Sequence, residues 1–178
     1  MKSDLASFDR IVNGKTAPSP IPWQVHLRQG SPTDFSFFCG GTIIDAKTIL
    51  TAARCYATKN LNAANFFITA GIVDRFDDAG QSAFVEEIIL HESYTSPTCE
   101  STSILCTSPT NDIAILKLKT PLAFNDKVQQ ACLPDASFVP TGKALASGWG
   151  WSVPDALETL VPGQRSPKDL QVWLQVGV

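Results

Sequence analysis

Short alternating or apolar runs recur along this chain, and turn-forming residues break the runs at close intervals. The runs Trp23–Arg28, Ser36–Ile44, Thr48–Ala52, Phe66–Ile72, Ala83–His91 and Ile113–Leu118, some alternating and some plainly apolar, read as strands, in which side chains two apart share a face. Lys143–Trp149 and Asp169–Val178 continue the series towards the C-terminus. Between the runs stand Asn13-Gly14, Gly30-Ser31-Pro32, Asp78-Ala79-Gly80 and Val161-Pro162-Gly163, all turn chemistry. No long stretch has helical periodicity. The pattern predicts an all-β protein, and by itself does not choose between sandwich and barrel. Ser93–Thr110 reads as a long loop, and Ala136–Thr141 as a connector between two sub-domains.

Composition narrows the function classes. With 44% hydrophobic residues in 178, the chain can bury a sizeable core. Its formal net charge is −3, and the 14 Lys and Arg form no basic stripe, which argues against nucleic acid. No apolar run is long enough to cross a bilayer. The start, Met1-Lys2-Ser3-Asp4-Leu5, lacks the apolar stretch of a signal peptide. A removed leader, or a sequence that begins partway along a longer product, accounts for that. Five cysteines are present, Cys39, Cys55, Cys99, Cys106 and Cys132, at spacings that do not suit a zinc site. They read instead as disulfide partners in an oxidising compartment, with one thiol left over. No metal and no cofactor is expected. No Asn-x-Ser/Thr sequon occurs, so N-glycosylation is not expected.

Several segments then resemble one family. Ile11-Val12-Asn13-Gly14, Pro22-Trp23-Gln24-Val25, Cys39-Gly40-Gly41-Thr42-Ile43-Ile44, Thr51-Ala52-Ala53-Arg54-Cys55, Asn111-Asp112-Ile113-Ala114, Ala131-Cys132-Leu133-Pro134 and Ser147-Gly148-Trp149-Gly150 follow one another as in trypsin/chymotrypsin-like serine proteases. Singly each is weak; in this order, from Ile11 to Gly150, they are specific. The resemblance implies a double antiparallel β-barrel. Residues 1–10 would be a propeptide-like tail and 11–135 a complete first barrel. Residues 136–178 would hold the connector and the opening strands of a second, truncated barrel. The Gly-Asp-Ser-Gly-Gly type segment that carries the family's nucleophile does not occur in these 178 residues.

The family's chemistry needs a serine hydroxyl activated by a neutral imidazole, which a buried carboxylate orients. Asp112 matches that carboxylate. The position that presents the imidazole holds Arg54, a side chain that is permanently protonated and has no acceptor lone pair. It cannot take a proton from a hydroxyl. By residue type alone Arg54 would be a solvated surface charge. Its motif instead turns it towards Asp112, so the two are expected within ion-pair distance. His26 and His91 read as surface or strand histidines, not as replacement bases.

Further expectations come with the resemblance. Arg10 and Ile11 look like a zymogen cleavage point, although a basic residue in an N-terminal tail explains Arg10 equally well. Cys39 and Cys55 match a family disulfide. Pairing of Cys99 with Cys106 would tie off a small inserted loop, either a plain surface insertion or a partner-binding surface. Cys132 is then the odd thiol, free or intermolecular. Asp74, Asp77 and Asp78 near Gly80 could suggest calcium, but Ile72 stands where calcium-binding members carry glutamate, so an acidic hairpin is the simpler reading.

Three functions fit. The first is a catalytically inactive protease homologue, a binding or regulatory module in extracellular proteolysis, secreted and with protein or peptide partners. The second is the N-terminal fragment of an active endopeptidase, with Arg54 a record error. The third is a truncated product without independent function. Unpaired strand edges after residue 136 would leave room for the missing half-barrel or another chain.

Overall fold

The computed structural model describes residues 15–31, 33–57, 61–98, 107–150 and 168–176. Nine β-strands and two short 3-10 turns make up the regular structure of these residues. The strands are β1 (Lys15–Thr16), β2 (Gln24–Ser31), β3 (Asp34–Asp45), β4 (Thr48–Thr51), β5 (Phe66–Ala70), β6 (Gln81–Leu90), β7 (Ala114–Leu118), β8 (Lys143–Gly148) and β9 (Gln171–Val176). Eight of them fall on the eight alternating or apolar runs. The chain forms two compact units, one of residues 22–71 and 80–133, the other drawing its described residues from 15–21, 72–79, 134–150 and 168–176.

The first unit is a closed barrel in the order β2-β3-β4-β7-β6-β5, antiparallel throughout. Closure leaves no strand edge in this unit's sheet to pair with another chain. Each strand turns every second residue inward. In β7 these are Ala114, Leu116 and Leu118, and the two leucines meet Val25, Leu27, Ile43, Ile49, Phe66, Ile68 and Val85 in one core. In β6 the phase changes. Ala83 and Val85 point inward, a bulge falls between Val85 and Glu87, and Ile88 and Leu90 then pack against the core. One extra residue shifts a period-two pattern by one, so Glu86 and Glu87 both stay exposed.

Core packing sets one glycine. A Cβ on Gly41 of β3 would stand 2.8 Å from Ile49 Cγ2 and 3.1 Å from both Leu50 O and Val25 Cγ2. At the neighbouring Gly40 the nearest atom is the mobile end of Gln24, 3.1 Å away.

A second buried layer lies on the face of β2 and β5 opposite this core, where the alternation predicts solvent. His26, Arg28, Phe67 and Thr69 are all buried there. The His26 ring stacks on Phe37 at 4.1 Å between centroids, and the Arg28 guanidinium lies 4.1 Å from the Phe35 ring centroid. Arg28 Nε donates to His26 Nδ1 at 3.1 Å, so this imidazole nitrogen serves as the acceptor. Aromatic faces cover the cation at modest desolvation cost.

In the second unit β1-β9-β8 form a three-stranded antiparallel sheet. The Val73 carbonyl accepts from Trp149 Nε1 and from Leu170 N, each at 2.8 Å, and both of those residues are buried. Asp74 pairs with Lys168 at 2.7 Å and accepts from Phe76 N at 2.9 Å. Asp77 Oδ1 accepts from Ala79 N at 2.8 Å, an Asx turn. Desolvation alone would raise the Asp74 carboxyl; the Lys168 ammonium and the Phe76 N–H outweigh it and hold the carboxyl below its ordinary value. The same hydrogen bond raises Lys168.

Two measurements follow. Gly41→Ala should lower stability by about 1–3 kcal/mol, the usual range for overpacking, and Gly40→Ala by clearly less. Equal denaturation midpoints for the two variants would contradict the packing described. Because Asp74 is depressed, its contribution is present above the unfolded aspartate value of about 3.9 and is lost as pH falls through the folded value. Lys168, being raised, contributes below its unfolded value and loses that contribution as pH rises through the folded one. An NMR titration should therefore find the Asp74 carboxyl below free aspartate, and Lys168→Met should move it up. A titration indifferent to that substitution would disprove the pairing as its cause.

Candidate functional site

The barrel register decides which loop residues meet. In the β4–β7 pair, Thr51 stands opposite Ala114. The chain leaves β4 after Thr51 and enters β7 at Ala114, so Arg54, three residues beyond one strand, and Asp112, two before the other, emerge side by side. Thr51 also donates its hydroxyl to Gly40 O at 2.8 Å, tying the end of β4 to β3.

Arg54 sits in the middle of the 3-10 turn Ala53–Cys55, with Ala52 still extended before it. Three features fix the turn. Cys55 forms a disulfide with Cys39, 16 residues away, closing a loop worth roughly 3 kcal/mol in chain entropy. Tyr56 N donates to Ala53 O at 3.0 Å. The Tyr56 ring is buried edge-on against Phe38 and Phe66, with centroids 5.3 and 5.1 Å apart. Burial pushes its phenol well above the ordinary tyrosine value, so it stays protonated.

Both Asp112 oxygens are engaged by the same residue. Arg54 N donates to Oδ1 at 2.8 Å, and Arg54 Nη1 donates to Oδ2 at 2.7 Å. The Asp112 side chain is 15% exposed and that of Arg54 34%. The arrangement is an ion pair with one partner mostly out of water and the other one-third in it. It can hold two loops together and it can present a cation. Arg54 cannot accept a proton there, because a guanidinium has no lone pair to offer.

The other residues singled out in the sequence fall elsewhere. His91 is exposed, and its Nδ1 accepts from Ser93 N at 3.1 Å. His26 lies in the buried layer beyond β2 and β5. Cys132 is an exposed thiol. Arg10, Ile11, Cys99 and Cys106 lie outside the described residues, as does the tip of the inserted loop. No helix among the described residues is long and apolar enough to cross a membrane. Two residues beside the site were not foreseen. Asn111 adopts a left-handed backbone with φ 49°, for which its side-chain type was the only available signal. Tyr56, whose ring packs behind the turn, was not singled out in the sequence.

Comparison with known proteins agrees with this architecture. The family model for trypsin matches residues 11–164, and the chain belongs to that family. It is 36% identical over 156 residues to transmembrane protease serine 9 of Rattus norvegicus, covering 85% of this chain and 13% of that protein. It is 34% identical over 149 residues to trypsin-4 of Rattus norvegicus, covering 82% and 52%. Clotting factor G beta subunit of Tachypleus tridentatus is 31% identical over 148 residues, covering 79% and 44%. The chain thus spans about half, or less, of the length of these relatives.

Removing the carboxylate tests the pair. Asp112→Ala removes the carboxylate that a half-buried guanidinium and one N–H donate to, and should cost about 1–2 kcal/mol after allowance for the exposure of Arg54. In Arg54→Met/Asp112→Ala part of that loss should return. A double-mutant cycle with no coupling would mean that the contact contributes nothing to stability.

Proposed function

We propose that this protein is a non-catalytic member of the trypsin family, a binding or regulatory module that works in extracellular proteolysis. The Arg54–Asp112 ion pair is the observation that carries the reading. In a general-base mechanism the group beside the hydroxyl must take its proton and later return it. Here the residue in contact with the carboxylate is a guanidinium, already protonated, with Asp112 as its counter-ion. The carboxylate is spent on neutralising a fixed charge instead of orienting a base. Loss of the base histidine costs on the order of a million-fold in turnover in subtilisin, an enzyme of unrelated fold.

Several features support the extracellular setting. The Cys39–Cys55 disulfide suits an oxidising compartment. One relative is named as a clotting factor subunit, which fits partners drawn from proteolytic cascades. Proteins or peptides are the partner class in this reading, with no cofactor and no nucleic acid. Arg10 and Ile11 would then mark a processing point, and Asp112 and Arg54 the altered centre.

The retained carboxylate also sustains the other reading, an active endopeptidase whose residue 54 is in truth histidine. Resequencing the gene and probing the protein separate them. A serine-directed fluorophosphonate should not label this chain, nor any longer product of the gene that carries Arg54, and peptide hydrolysis should stay at background. Arg54→His should place an imidazole N–H on Asp112, visible as a slowly exchanging proton by NMR. Hydrolysis by the purified Arg54 protein, free of contaminants, defeats the proposal.

A further inference from the structure

Asp112 owes its position to something other than the ion pair. It follows Asn111, a non-glycine residue in the left-handed region, where most L-residues are strained and asparagine is among the most tolerant. The Asn111 carbonyl accepts from Ile113 N at 2.8 Å, a tight loop around Asp112. Its side-chain amide donates to Ser93 O at 2.9 Å. Ser93 is itself held, because its N–H donates to His91 Nδ1 at 3.1 Å, while His91 N donates to Ile113 O at 3.1 Å. The ring of contacts returns to the residue after Asp112.

Immediately beyond this ring the chain makes an excursion whose base is zipped by threonines. Thr95 and Thr110 exchange backbone hydrogen bonds in both directions, and their hydroxyls meet. Three residues further out on each arm, Thr107 N donates to Thr98 O at 2.9 Å and Thr98 N donates to Thr107 Oγ1 at 2.8 Å, with the two hydroxyls 3.0 Å apart. Facing threonines form a ladder of this kind when two strands must be held in one register. One arm of this stem starts two residues after Ser93, and the other ends at Thr110, directly before Asn111.

We propose that Asn111 is the positioning residue for Asp112, and that the threonine-paired stem holds Asn111 and Ser93 in the register this needs. The stem fixes the distance between the two loop arms, the amide tether and left-handed turn of Asn111 aim the carboxylate, and the carboxylate receives Arg54. Whatever displaces the stem therefore reaches Arg54 through Asn111 and Asp112. The inference rests on the observed pair and not on the absence of catalysis, so peptide hydrolysis by the protein would leave it standing.

The Arg54 amide is the reporter, since its N–H donates to Asp112 Oδ1. Hydrogen exchange on the full chain should show Asn111→Val lowering protection of that amide by about tenfold, the effect of a β-branched residue forced into the left-handed region. Leu116, in the centre of β7, should keep its protection. Asn111→Asp tolerates the turn but cannot donate to Ser93 O, and should lower Arg54 protection by a smaller factor. If Asn111→Val fails to fold, Asn111→Asp and Thr95→Val/Thr110→Val carry the test, each with loss at Arg54 and none at Leu116. Arg54 protection within about twofold of wild type in the variants that fold overturns the proposal, and so does a proportional fall at Arg54 and Leu116.

Discussion

Strand register in a closed barrel determines this site before any side chain does. A barrel admits one stagger between β4 and β7, and that stagger sets Thr51 opposite Ala114. The segments leaving those strands then have only a few residues in which to diverge. Arg54 and Asp112, 58 residues apart in sequence, meet for that reason. The backbone N–H of residue 54 bonds Oδ1 whatever its side chain is, so half of the interaction is independent of the arginine. The Cys39–Cys55 bond and the buried Tyr56 ring keep that N–H where the barrel puts it.

Given that frame, the identity of residue 54 changes the chemistry and leaves the fold alone. An imidazole there would offer one nitrogen to the carboxylate and keep the other as an acceptor near neutral pH. A guanidinium offers donors only. The Arg54 guanidinium bonds Oδ2 at 2.7 Å while the backbone N–H of the same residue keeps Oδ1 at 2.8 Å, and the contact is a charge-neutral clasp. Removing either partner exposes the cost of the other, which is why a clasp of this type is better evidence of local order than of large net stability.

Much of the architecture was legible in the chain because its causes are local. The eight alternating or apolar runs became eight strands, since period-two burial and turn chemistry suffice to specify them. The pairing of Lys15–Thr16 with Val172 and Gln171 joins opposite ends of the chain, and two residues carry no periodicity to announce it. The buried layer of His26, Arg28, Phe67 and Thr69 was equally hidden. Polar residues at alternate positions imply water, and only the cross-strand placement of Phe35 and Phe37 shows that aromatic rings cover them. The β6 bulge is a third case, because two adjacent glutamates look like a break in the pattern until the register is known.

The site was legible in a different way. Nothing in the properties of an arginine and an aspartate 58 residues apart connects them; their order among the family's segments did. That order could not disclose how Asp112 is aimed, since the left-handed turn at Asn111 and the threonine pairs next to it are matters of conformation. These two kinds of information meet at one residue. The carboxylate occupies a place that barrel register prescribes, and an orientation that a left-handed asparagine and a hydroxyl-paired stem impose. A position specified twice over by structure can lose its chemical partner and keep its geometry. That is the physical reason the carboxylate can receive a guanidinium with no change in its own placement.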